Sequence, residues 1–315
     1  GVGHGAKGVL PAASGDHLNV YRDGPVRLAV GGTEMGQGFL TVLCQIAADS
    51  LGAPIESTHV AHVDTSIVPD SGPSVASRTT LMTGNAVIDA ATKLKVVMGE
   101  VAADMLGASS DGIEFRDGLV RGGNESGTVA DAANECWPRN GNTAVEGGDA
   151  GPPSGVDENG SGDAHAVYSY ATHVAEVEVD TETGETHLVR VTAAHDVGRI
   201  LNPVTLEGQI EGGVLQGAGM GLYERMKTSG GDITTPDFST YIIPTAMDVP
   251  EIESVFVEAR YSMGPFGAKG IGETPAMPGA VAIANAVTHA TGIRFNELPV
   301  TAEAVRLALS KRRDQ

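Results

Sequence analysis

Aromatic side chains are scarce: Phe, Trp and Tyr make up 4% of the 315 residues. Ala, Val, Leu and Ile must therefore fill the core, and hydrophobic residues at 41% suffice for one large domain or two medium ones. Cysteine is scarcer still. Cys44 and Cys136 stand alone with no CxxC, so the chain by itself cannot hold an iron–sulfur cluster, which takes about four thiolates. Cys44 falls in an apolar helical pattern and reads as core. Positive charge is also short, at 20 Lys+Arg against 40 Asp+Glu, with six lysines. That balance excludes duplex nucleic acid, because phosphate binding needs a basic face. It fits adaptation to high salt, where a carboxylate-rich surface stays solvated, or an ordinary acidic cytosolic protein. No apolar run approaches the ~20 residues of a membrane span. No signal peptide is visible, so a cytoplasmic location is expected. The chain opens at Gly1 without methionine, the expectation for a fragment or one part of a split subunit.

Glycine is what the chain has in excess, with 43 residues in compact clusters and no G-X-Y period, which excludes collagen. Clustered glycine suggests backbone that closely approaches itself or a ligand. Around these clusters two halves repeat one plan. In the first, His17–Arg22 leads through Asp23-Gly24 into Val26, Leu28 and Val30 at period two, a hairpin. Gly31–Gly38 follows as a loop. Phe39, Leu43, Ile46 and Ser50 then share a helix face, closed by Gly52 and Pro54. A second helix is predicted over 85–106, from Val87, Ala91, Leu94, Met98, Val101 and Met105, with Gly107 as its stop. Residues 122–164 read as a long surface connection with a short helical patch at Val129–Cys136. The second half pairs Ala175, Val177 and Val179 with Leu188–Val191 through a turn at Thr181–Gly184. A loop over Gly198–Gly208, then Gln209, leads to an apolar helix through Leu215. Helices near 276–290 and 302–309 end the chain, the last with Thr301 as N-cap. Hairpins and helices without regular βαβ alternation predict an α+β fold of two hairpin-loop-helix subdomains, 1–121 and 165–315, joined by 122–164.

The familiar phosphate and metal motifs fail. Gly217-Ala-Gly219-Met-Gly221 is not G-x-G-x-x-G and follows no strand, GPFGAKG lacks Walker spacing, and no Cys/His set suggests zinc. Four segments instead concentrate glycine with amide, hydroxyl or carboxylate groups: GGTEMGQG (31–38), SGPSVASRTT (71–80), GQIEGGVLQG (208–217) and GPFGAKGIGETP (264–275). Each alone reads as a tight turn. Four together suit a large polar ligand bearing phosphate and many heteroatoms.

These segments carry a family resemblance. GGTEMGQG resembles a molybdopterin-contact loop of the xanthine dehydrogenase/aldehyde oxidase family. SVASRTT (74–80) is similar to its small-Ser-x-Ser/Thr loop. DVGRILNPVTLEGQIEGG (196–213) is similar to its D-x-G-x-x-x-N-P…GQIEGG signature, and GPFGAKGIGETP to its K-G-x-G-E segment. STYIIPTAMDVPEIE (239–253) and ELPVTAEAVRLAL (297–309) match its C-terminal stretches in order. The resemblance implies a molybdopterin-type molybdenum cofactor and a catalytic base at Glu273. It puts Gln37 near the cofactor's oxo or dithiolene end, with Met35, Gly36 and Gly38 shaping that loop. It sets Ala76 beside the metal, without a direct side-chain ligand. Ser77, the Arg78 backbone and Thr79 would grip the pterin or its phosphate, Gln209 would bond the pterin, and Gly272 would line the cofactor.

The resemblance further implies hydroxylation of an N-heterocycle or aldehyde with water as the oxygen source. Electrons would leave through an iron–sulfur subunit and an FAD subunit. A first molybdenum-binding domain, in the same or an adjacent chain, would complete the site around the small-molecule substrate. Ala6 falls where the purine hydroxylases carry a stacking aromatic. Two alternatives come from other classes: a non-catalytic relic or assembly fragment, and a plain structural protein. For Glu273 the bland alternative is a helix N-terminal carboxylate ahead of 276–290.

Overall fold

The computed structural model describes residues 2–8 by their backbone, and residues 14–61, 63–139, 141–151, 155–163, 165 and 167–313. Its strands in chain order are β1 (Val2–Gly8), β2 (Ser14–Val20), β3 (Val26–Val30), β4 (Thr58–Val60), β5 (Ile113–Arg116), β6 (Leu119–Gly122), β7 (Glu125–Thr128), β8 (Ala144–Asp149), β9 (Gly155–Val156), β10 (Gly162–Asp163), β11 (Tyr168–Val179), β12 (Thr186–Asp196), β13 (Thr228–Ser229), β14 (Asp232–Ile233) and β15 (Glu251–Val257). The helices are α1 (Phe39–Leu51), α2 (Thr79–Leu106), α3 (Val129–Cys136), α4 (Pro203–Leu222), α5 (Gly279–Thr291) and α6 (Ala302–Arg313). The fold is α+β, as expected. It divides into two units, each discontinuous in sequence. The first comprises Gly1–Gly8, Tyr168–Ala259 and Ile271–Gln315, and the second Val9–Val167 and Arg260–Gly270.

The second unit is built on a sheet of order β4-β3-β2-β8. The β2–β3 hairpin turns at Asp23-Gly24, where Gly24 takes φ 104°. Alternation in β2 and β3 buries Leu18, Val20, Val26, Leu28 and Val30 completely. α1 and α2 supply the other half of this core, through Leu43, Ile46, Met82, Leu94 and Met98. Both helices stop where expected, at left-handed Gly52 and Gly107.

Two elements depart from the sequence pattern. α2 begins at Thr79, six residues before the predicted start at Asn85. Thr79, Thr80, Thr83 and Gly84 are β-branched or glycine and poor in helix propensity, yet Leu81, Met82, Thr83 and Gly84 are buried, so packing overrides propensity there. A Cβ at Gly84 would press on Pro265 and Ile46, and Asn85 Nδ2 donates to the Met263 carbonyl at 2.8 Å. The Arg260–Gly270 segment thus belongs to this unit through α2. Secondly, β8 lies inside the stretch read as a connection, yet it pairs with β2 from Ser14↔Asp149 to Asn19↔Ala144. Gly147-Gly148 erases the strand pattern. Gly147 is required because a Cβ there would strike the Ala86 carbonyl of the crossing helix α2.

The first unit holds a sheet of order β1-β11-β12-β15, with β15 parallel to β12. The β11–β12 hairpin turns at 181–184, where the Asp180 carboxylate accepts from Glu182 and Thr183 N–H groups. α4 and α5 pack on one face of this sheet around Val191, Ala193, Ile210, Val214, Ile283 and Val287. α4 starts at Pro203, where the sequence read a loop to Gly208. Asn202 caps it by accepting from Thr205 N–H at 3.1 Å, and Pro203 occupies the first turn. The glycines of GQIEGGVLQG are therefore helical. A Cβ at Gly213 would strike Pro275, and one at Gly217 would strike Gly279, so they permit close packing of α4 on the segment after Glu273. Thr301 caps α6 through Ala304 N–H, as expected.

Candidate functional site

In the second unit the GGTEMGQG loop ends at the N-terminus of α1. Its amides are occupied from within. Glu34 accepts from Gly36 and Gly38 N–H at 2.9 Å each and from Leu40 N–H at 3.2 Å. Burial alone would raise the Glu34 pKa, but these backbone hydrogen bonds outweigh it and hold the carboxyl below its usual range. Gln37 accepts from Met35 N–H at 2.6 Å and donates to the Thr33 carbonyl at 2.7 Å, so both ends of its amide close the loop. Met35 stands 69% exposed. Sequence reasoning passed over Glu34. A carboxylate four residues before a helix's capping Gly38 is a legible signal, since it complements the positive end of the helix.

The SGPSVASRTT loop leads into the N-terminus of α2. Ala76 and Ser77 are consecutive non-glycine residues at φ 54°, a conformation that costs about 1–3 kcal/mol each and concentrates at ligand-binding sites. Arg78 is buried, and its guanidinium donates to the carbonyls of Ser71 at 3.0 Å and Pro73 at 2.9 Å. Its side chain therefore braces this loop, while its N–H bonds the Val75 carbonyl. Thr79 opens the helix.

Gly270, in the same unit, packs on this loop. A Cβ at Gly270 would fall on the Ser77 carbonyl, which no side-chain rotation relieves. The first glycine of the K-G-x-G-E segment is thus accounted for by the strained loop. The three residues after it, Ile271, Gly272 and Glu273, belong to the first unit.

In the first unit Glu273 is exposed and holds the N-cap position of a 3₁₀ turn, Thr274–Ala276, without a side-chain capping hydrogen bond. The helix α5 begins beyond it, at Gly279. A helix-capping role therefore finds no support at this residue. Gly272 is exposed, and Gln209 lies half-buried on α4. The backbone of Ala6 pairs with Tyr170, and its side chain lies outside the described residues. Among the described residues no group of three or more His, Cys, Asp or Glu side chains could hold a metal ion, and no helix is long and apolar enough to cross a membrane.

The residues so placed fit an anionic, heteroatom-rich group. A strained loop opens onto the N-terminus of a 28-residue helix, with Ser77 and Thr79 on either side of its N-cap residue Arg78. Comparison with known proteins gives the family. Residues 1–250 match the model of the molybdopterin cofactor-binding domain, and the chain belongs to that family. It is 34% identical over 295 residues to the 6-hydroxypseudooxynicotine dehydrogenase complex subunit gamma of Paenarthrobacter nicotinovorans, covering 91% of this chain and 36% of the relative. It is 31% identical to the putative xanthine dehydrogenase molybdenum-binding subunit of Escherichia coli, covering 91% of this chain and 38% of the relative. Among solved structures, the aldehyde oxidoreductase of Desulfovibrio desulfuricans superposes with a TM-score of 0.81 at 30% identity, covering 98% of this chain and 32% of that one. The chain therefore spans well under half the length of these relatives. The resemblance read from the motifs is the one the comparisons find.

Proposed function

We propose that this chain is the molybdopterin-binding part of a molybdenum hydroxylase that oxidises an N-heterocycle or an aldehyde, with Glu273 as its catalytic base. The consecutive left-handed residues Ala76 and Ser77, backed by Gly270 in the segment that continues to Glu273, are the observation that carries this reading. In it, the first unit and the second are the two molybdopterin-binding subdomains. Ala76, Ser77, the Arg78 backbone and Thr79 hold the cofactor at the α2 N-terminus. Met35, Gly36, Gln37 and Gly38 of the second unit and Gln209 and Gly272 of the first are the other cofactor-binding residues of this reading. When bound, the cofactor supplies the metal that accepts the substrate's electrons. Glu273 removes the proton from the attacking oxygen, as a positioned carboxylate can. A first molybdenum-binding domain completes the substrate pocket, and iron–sulfur and FAD subunits carry the electrons away. The reading includes a cytoplasmic location.

The test is Glu273→Gln in the complete, cofactor-loaded complex. The swap is nearly isosteric, so folding and molybdenum content should survive. Turnover should fall by about 10²–10⁴-fold, the usual cost of losing a general base. Near-normal turnover with full molybdenum content would refute the assignment.

A further inference from the structure

Behind the turn that follows Glu273, the first unit buries a pair of imidazoles that the proposed reaction does not use. His173 on β11 and His195 on β12 are both 0% exposed. Their Nε2 atoms lie 2.9 Å apart, and the rings meet edge to face at 5.1 Å between centroids. His173 is in register with Ala193 and His195 with Ala171, so the two are diagonal neighbours on the sheet's inward face. One Nε2 must donate and the other accept. The donor's Nδ1 is then a bare lone pair, and the acceptor's Nδ1 carries a hydrogen. Neither Nδ1 has a hydrogen-bond partner among the described residues. A pair of apolar side chains would avoid both orphaned atoms, each of which costs about 1–3 kcal/mol when buried. Such a pair needs a reason to persist.

The turn Thr274–Ala276 packs against β11, β12 and α4. Thr274 is itself 0% exposed, and its hydroxyl also lacks a partner among the described residues. Glu273 is thus joined directly to a residue sunk into the layer that the imidazole pair spans. The surroundings of that layer are apolar. α4 brings Ile210 and Val214, α5 brings Ala282 and Ile283, and β15 brings Ile252 and Phe256. On β1, Gly3 stands opposite His173. Apart from the pair, Asp196 is the one buried ionisable side chain of the first unit among the described residues. Along the chain, Asp196 follows His195 and Glu273 precedes Thr274. Burial lowers both imidazoles to about 4, with the His173 ring adding to the shift at His195. Both are neutral at neutral pH, which leaves one Nε2 able to accept from the other.

We propose that His173 and His195 are positioning residues for Glu273: their mutual hydrogen bond stiffens the side-chain layer of β11 and β12, against which the Thr274–Ala276 turn packs, and so steadies the backbone that carries the base. The proposal rests on the catalytic reading of Glu273. The backbone ladder already sets the register of β11 and β12, and the bond adds to it a directional contact between side chains that an apolar pair would lack. The consequence is confined to the turn, which distinguishes this role from general core filling.

The experiment uses the intact molybdenum-loaded complex with three variants. In His173→Leu/His195→Leu the bond and both orphaned atoms go together, so global unfolding temperature should hold or rise. Hydrogen exchange of amides 271–277 should quicken about tenfold or more while the rest of the first unit keeps its protection. kcat should fall by about tenfold or more with KM within about twofold, since orientation acts on the chemical step. His195→Gln, whose amide nitrogen reaches the place of Nε2, should restore slow exchange and most of kcat. Unchanged exchange at 271–277 in the double Leu variant would overturn the proposal, as would a rise spread evenly over the unit. Glu273→Gln, run alongside, separates the two readings. If it retains turnover, the base assignment fails, while exchange at the turn still reports on the imidazole pair.

Discussion

Asp16→Asn should stabilise the second unit above neutral pH and leave it unchanged in mild acid. Asp16 lies on β2 at 0% exposure, and neither carboxylate oxygen has a hydrogen-bond partner among the described residues. Burial raises its pKa from 3.8 to about 7, the nearby Asp89 charge pushes the same way, and Lys93 opposes it. The folded chain therefore holds this proton more tightly than the unfolded chain does. Stability from it is complete below pH 3.8 and is lost as pH rises through about 7. At about 1.36 kcal/mol for each tenfold change in proton affinity, the rise from 3.8 to about 7 corresponds to about 4 kcal/mol. Asparagine mimics the protonated acid in shape and cannot ionise, so it removes this loss. Trp137 gives the assay. It is the one tryptophan of the chain, it sits in the second unit, and Arg22 stacks over it at 5.4 Å. Urea unfolding followed by its fluorescence reports that unit. Between pH 4.5 and 8.5 the wild type should lose most of the ~4 kcal/mol that Asp16→Asn retains. Asp89→Asn should narrow the difference by lowering the Asp16 pKa. Parallel pH profiles for wild type and Asp16→Asn would refute the reasoning.

Gly270→Ala should cost about 1–3 kcal/mol or more, since the new Cβ meets the Ser77 carbonyl and backbone must shift. A wild-type urea midpoint in that variant would show that the loop and the glycine are not in close contact. Thr128→Ala removes the capping box of α3, in which Asp131 N–H bonds the Thr128 hydroxyl at 3.0 Å. It should lower stability by about 1 kcal/mol, measured by the same Trp137 fluorescence. The excess of 20 negative charges predicts a melting temperature that climbs from dilute buffer to molar KCl, as screening relieves self-repulsion. A flat or falling melting temperature across that range would favour the ordinary acidic-protein reading.

Much of the fold was legible because its elements are amphipathic. Period-two alternation located the β2–β3 and β11–β12 hairpins, and the α1 and α2 stops followed from Gly52 and Gly107. The early start of α2 came from packing that overrides propensity, whereas glycine obscured β8 and α4. At Gly147 in β8 and at Gly213 and Gly217 in α4, glycine reads as a turn in sequence. In the structure each marks a crossing where another backbone leaves no room for a Cβ. Local sequence carries no record of what crosses it, so only tertiary structure separates the two uses. The site motifs were legible as segments, and their internal wiring was not. Glu34, absent from the expected site, holds more of the GGTEMGQG loop's amides than Gln37 does.

The buried ionisable groups were missed for a different reason, because their signal was present. In Ser14–Val20, Asp16 shares the parity of Leu18 and Val20, so the alternation that defines the strand already turns Asp16 inward. His173 stands between Ala171 and Ala175 in the same way, and His195 continues the inward run of Val191 and Ala193. Reading for motifs draws the eye to glycine clusters. Reading for parity draws it to polar residues at apolar positions, where burial costs most and a compensating role is hardest to avoid. On that criterion Asp16, His173 and His195 rank beside Glu273 as places to look for chemistry, although no motif contains the first two and His195 merely abuts one. The two kinds of residue also respond differently to substitution. Removing an exposed catalytic carboxylate should leave stability intact and abolish turnover. Removing a buried polar group should move stability and pH dependence first, and turnover only where the group holds a reacting residue in place.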